Sequence, residues 1–106
     1  MAQDRLAVLR GLVEQNPSDG RTRYMLAMEL AGRGELEEAV REYEAVVDCD
    51  ADCVAAYLHG GQALERLGRL EDARALYQRG IEACRRTGNR HIQEELEGLL
   101  ALLGQQ

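Results

Sequence analysis

Gly34-Glu35-Leu36-Glu37-Glu38-Ala39 returns as Gly68-Arg69-Leu70-Glu71-Asp72-Ala73, a displacement of 34 residues. The same shift carries Leu30 onto Leu64 and Tyr43 onto Tyr77. Self-similarity at a fixed period of this length marks an array of small supersecondary units, each unable to bury its apolar face alone and therefore stacked on its neighbours. Moved back by one period, the frame places Leu9 and Leu12 under Tyr43 and Val46, and Pro17 under Ala51. Residues 3–17 thus read as the second half of a preceding unit.

Within each unit the pattern is two helices around a glycine. Leu26, Ala27 and Leu30 make one buried stripe over residues 21–33, and Gly34 follows where a left-handed cap must end the helix. Leu36, Ala39, Val40, Tyr43, Val46 and Val47 form the stripe of the next helix, which ends in the polar run 48–52. The second unit repeats this with a helix from about Val54 to Leu67, a turn at Gly68 and a helix from about Leu70 to Arg85. Thr87-Gly88-Asn89-Arg90 breaks the chain, and Ile92, Leu96, Leu99, Leu100 and Leu103 mark a last helix that covers the end of the stack. Gly98 inside it costs about 1 kcal/mol against Ala, which suggests close approach to a neighbouring element. Ser18, beside Pro17 and Asp19, reads as a helix N-cap.

Composition agrees with helices and excludes several classes of function. The chain of 106 residues is the size of one domain, and 45% hydrophobic with 30% charged residues is too apolar for disorder. With no Trp, no Phe and four Tyr, the core must be built from Leu, Val and Ala, which favours helix over sheet. Net charge is −6 and all thirteen basic residues are Arg, without a basic face, so phosphate backbones would be repelled and nucleic acid is not expected. The acidity lies between Glu35 and Asp52. It reads chiefly as a solvated outer face, with a dock for a basic partner as the lesser reading. No apolar run approaches the ~20 residues of a membrane span, no signal peptide is expected, and three cysteines, Cys49, Cys53 and Cys84, fit a reducing, cytoplasmic setting.

Chemistry finds no constellation to stand on. Asp48, Asp50 and Asp52 imitate the start of a calcium loop, but the required glycine is Cys53 and the closing glutamate is His59. Cys49, Cys53 and His59 lack paired zinc-ligand spacing, and packed thiols explain the cysteines better. The single serine has no base beside it, His59 and His91 stand alone, and no glycine-rich loop follows a strand. Neither a catalytic residue, a metal nor a cofactor is expected, and the protein reads as a non-enzyme.

The period, the paired helices and the series Ala27, Gly34, Ala39, Tyr43 matched by Gly61, Gly68, Ala73, Tyr77 resemble the motif of the tetratricopeptide repeat (TPR) family in a small bacterial-type form. The resemblance covers 20–53 and 54–87 as full repeats, with 3–17 as a half repeat and 89–103 as a capping helix. It implies an all-α, right-handed α-solenoid of antiparallel helix pairs, about six helices in one domain spanning 1–106. Arg23 stands where an aromatic is usual, Gly60 where Leu is usual, and Ala51 and Arg85 replace the proline seen at Pro17.

The resemblance further implies that the first helix of each repeat lines a concave groove, where a scaffold of this type binds a peptide or helix of a partner protein. The residues placed there are Arg21, Tyr24, Met28 and Ala31, then Ala55, Leu58, Gln62 and Glu65, then Asn89, Ile92 and Leu96. Two states of this groove are open: exposed to a ligand, or covered by the last helix. Some relatives grip the carboxyl terminus of heat-shock chaperones with Lys, Asn and Arg; here Tyr24, Met28, His59, Asn89 and Gln93 take those places, and such a clamp is not expected. The alternative to an adaptor is a self-assembling structural unit, a homo-oligomer in which Leu99 to Leu103 or the first helix pairs between copies.

Overall fold

A computed structural model describes residues 4–104, and all of the secondary structure in them is helical. The helices are α1 (Arg5–Gln15), α2 (Gly20–Gly32), α3 (Leu36–Cys49), α4 (Val54–Arg66), α5 (Leu70–Thr87) and α6 (Arg90–Leu103). Gln3, where the first half repeat was expected to begin, lies outside the described residues. Each helix packs on the next in sequence, and α4 also touches α2 and α6. The result is a helical solenoid, 47 × 28 × 19 Å.

The turns form where glycine permits them. Gly34 and Gly68 have φ of 82° and 78°, the left-handed region that an L side chain resists. In each, the helix closes on itself: Glu35 N–H reaches the Leu30 carbonyl at 2.9 Å, and Arg69 N–H reaches the Leu64 carbonyl at 2.9 Å. At the other end of α2 the cap is Asp19 and not Ser18. The Asp19 carboxylate accepts from the Arg21 and Thr22 backbone and from the Thr22 hydroxyl, whereas Ser18 donates to the Asn16 side chain.

Packing between helices depends on missing side chains. A Cβ on Gly61 would fall 2.1 Å from the Tyr77 ring, and one on Gly80 would fall 2.6 Å from Cβ of Tyr57. Backbone at these positions therefore meets aromatic rings directly, which lets α4 and α5 approach. Gly60, in place of the usual Leu, leaves room for Tyr43 and Leu76. The buried Tyr77 hydroxyl donates to the Glu65 carboxylate.

The departures at Arg23 and Ala51 also have a structural account. Tyr57 donates its hydroxyl to the Ala51 carbonyl at 2.8 Å. One period earlier, Arg23 Nε donates to the Pro17 carbonyl at 2.6 Å. An arginine thus makes the bond to the inter-repeat turn that a tyrosine makes in the next unit, and its NH1 adds an ion pair to Glu42 at 2.7 Å. Arg86 also donates to the Ala51 carbonyl, at 3.2 Å, and pairs with Asp52.

One expectation about register fails. Helix α5 runs to Thr87, past the expected Arg85, and ends in a left-handed cap at Gly88, φ 74°. In consequence α4 starts 34 residues after α2, but α6 starts 36 residues after α4. Two residues advance a helix by about 200°, so the face of α6 that looks along the solenoid differs from the one that an unbroken period assigns.

Candidate functional site

The first helices of the successive units, α2, α4 and α6, form one wall. Because α6 packs on α5 and α4 but does not contact α2, it leaves the groove over α4 open. A cavity of about 500 Å³ lies there. Ala31 and Gly32 of α2 bound it on one side and Leu99 of α6 on the other, with His59, Gln62, Glu65 and Arg66 of α4 between and Tyr43 beneath. A second hollow, sharing Gln62 and Leu99, continues past Glu94, Glu95, Gly98 and Leu102.

Tyr43 and His59 bring aromatic rings to the cavity, and Tyr24, which lines a separate hollow with Arg21, packs against both. Tyr24 meets Tyr43 edge-on at 6.1 Å between centroids, and His59 lies stacked on Tyr43 at 6.5 Å. Such contacts fix ring positions within a packed wall. Burial pushes the Tyr43 hydroxyl well above the usual tyrosine range, with Tyr24 adding to the effect. His59 Nδ1 lies 3.3 Å from the side-chain oxygen Oε1 of Gln62.

The expected groove residues divide sharply. Arg21 is exposed, Tyr24 is half-buried, Met28 is 46% exposed, and Gln62 and Glu65 line the cavity. Leu58, in contrast, is 5% exposed and belongs to the core. On α6 the two-residue extension of α5 turns the expected face inward. Leu96 is fully buried, Ile92 is half-buried against the core, and Asn89 is an N-cap whose side chain accepts from Ile92 N–H at 3.1 Å. Glu94, Gly98 and Leu102, spaced by four, hold the places instead.

Gly98 itself meets no neighbour. A Cβ built on it would find nothing within 4 Å, so the expected close approach to another element is absent and the space belongs to the groove. Cys84 is buried and Cys49 exposed, and burial pushes the Cys53 and Cys84 thiols up. Among the described residues no three or more His, Cys, Asp or Glu gather as a metal site. No helix among them is long and apolar enough to cross a membrane.

A sequence model described as "Tetratricopeptide repeat" matches residues 24–86, more than half of the chain. The chain belongs to the tetratricopeptide repeat family. No curated protein matches it in sequence. Among solved structures, a TPR domain protein from Salinibacter ruber is 35% identical, with 83% of this chain and 89% of that one covered and a TM-score of 0.76. The type III secretion translocator chaperone SycD of Yersinia enterocolitica, 16% identical, covers 93% of this chain and 69% of its own with a TM-score of 0.86. The TPR2B domain of yeast Sti1, in a complex with pHsp70, is 18% identical over 94% of this chain and 80% of its own, also at 0.86. At these last two identities the likeness is one of fold.

Proposed function

We infer that this TPR protein is a protein–protein interaction module whose concave groove receives a peptide or helix of a partner. In this reading residues 20–53 and 54–87 are its two repeats, 3–17 the second half of a preceding one, and 89–103 a capping helix. The observation that carries the proposal is the open cavity of about 500 Å³ between α2, α4 and α6, walled by apolar and polar side chains together. SycD is a chaperone and the Sti1 domain is seen with pHsp70, which supports a polypeptide as the ligand class. The groove residues of the proposal are Arg21, Tyr24, Met28, Gln62 and Glu65, joined by His59, Arg66, Glu94, Gly98 and Leu102.

Gly98→Met tests it. The new side chain projects into free space on the groove wall, and replacing a helical glycine raises helix stability by up to about 1 kcal/mol. Affinity capture with native and variant protein should therefore retain a partner only on the native protein, with unchanged circular dichroism for both. A partner retained equally by the variant places recognition elsewhere.

Self-assembly is the second reading, favoured by Val8 and Leu12 of α1, 41% and 45% exposed, and by Leu102 of α6, 58% exposed. A sedimentation mass that stays monomeric across concentrations removes it.

A further inference from the structure

The two rims of the groove differ in character. On α2 the cavity is bounded by Ala31 and Gly32, and no carboxylate of that helix lines it. On α6, Glu94 and Glu95 flank the hollow beside Leu99 and the exposed Leu102.

Among the described residues, neither of these carboxylates is held by an arginine, as several others of the fold are. Arg10 holds Glu38, Arg23 holds Glu42, Arg33 holds Asp4 and Glu29, and Arg86 holds Asp52. Among the described residues Glu94 has no ion-pair partner, Glu95 reaches only His91 Nε2 at 3.3 Å, and Glu65 takes the neutral Tyr77 hydroxyl. Among the described residues, Arg66 on the α4 wall is the one arginine that lines the main cavity. Gly98 lies one turn from Glu94 and one turn from Leu102, and its empty surroundings let a ligand backbone run close to both.

We propose that the groove's occupant is a basic amphipathic segment of another protein. An apolar side chain enters the cavity between Ala31, Tyr43, His59 and Leu99, and lysine or arginine on the same segment reaches Glu94 and Glu95. An acidic segment would set like charges together at this rim, which disfavours it. The proposal rests on the groove being the binding face and adds the charge and placement of the ligand.

The test is fluorescence anisotropy of the full chain with a labelled Leu/Lys amphipathic peptide and a Leu/Glu peptide of the same length and apolar spacing. The Leu/Lys peptide should bind saturably and weaken as salt rises. Glu94→Gln with Glu95→Gln should weaken it about tenfold, from two surface ion pairs, and Gly98→Met should abolish it. If the Leu/Glu peptide binds as tightly and is lost with Gly98→Met, the charge proposal is overturned and the groove reading stands. If the Leu/Lys peptide binds but ignores Gly98→Met, the groove reading falls with it. No saturable binding of the Leu/Lys peptide overturns the basic-ligand proposal outright.

Discussion

Gly61→Ala against Gly98→Ala isolates what the inter-helix glycines do, because one substitution meets a wall and the other meets nothing. Both sit inside helices, so each gains about 1 kcal/mol of helix propensity. At Gly98 no atom lies within 4 Å of the added methyl, and the gain should appear in full. At Gly61 the methyl would lie 2.1 Å from the Tyr77 ring, and Tyr77 is completely buried. Displacing the ring costs about 1–3 kcal/mol of overpacking. Pulling its hydroxyl from the Glu65 carboxylate adds about 1.5–3 kcal/mol for a bond to a charged acceptor. The net cost is about 1.5–5 kcal/mol, a fall in Tm on the order of 6–40 °C at about 4–8 °C per kcal/mol. Gly98→Ala should raise Tm by about 4–8 °C on the same scale. Thermal unfolding followed by far-UV circular dichroism reads both. Equal Tm values for the two variants would refute the reasoning, since the only difference invoked is the Tyr77 ring.

Leu58→Asp should leave no folded protein, since it removes a core side chain and buries a carboxylate, at a cost of more than about 4 kcal/mol; Gln62→Ala beside it should stay within about 0.5 kcal/mol in urea titrations. Arg23→Ala should cost about 1–3 kcal/mol through its bonds to the Pro17 carbonyl and Glu42, and Arg23→Tyr should recover much of this by the route that Tyr57 uses. Burial raises Tyr43 and Tyr77 in the folded state, Glu65 adding to Tyr77. Their contribution is therefore complete below the unfolded tyrosine value of about 10 and is lost as pH rises above it, so helicity and phenolate absorbance should change together in alkali. In acid the sign reverses: Thr22 lowers Asp19 and Arg10 lowers Glu38, so stability present above about pH 4 should decline as pH falls through the folded values.

What could be read from residues alone were the features enforced locally. Gly34 and Gly68 need a left-handed backbone, and the stripes through Tyr43 and Tyr77 follow the helical period, so the turns, the helix pairs and the stacked architecture were legible. Gln62 and Glu65, expected on the groove side of α4, line the main cavity, because they lie within one unbroken stretch of the 34-residue frame. The tertiary structure decided the rest. Leu58 takes the repeat position of Tyr24 yet is buried, because exposure depends on what packs against a helix and not on its own periodicity. Helix α5 continues to Thr87, so α6 departs from the 34-residue frame: Leu96 is core, Ile92 is half-buried against it as the apolar stripe implied, and Glu94, Gly98 and Leu102 line the second hollow. A helix face is set by cumulative register, about 100° per residue, so a two-residue change that leaves every local pattern intact is enough to exchange inside for outside.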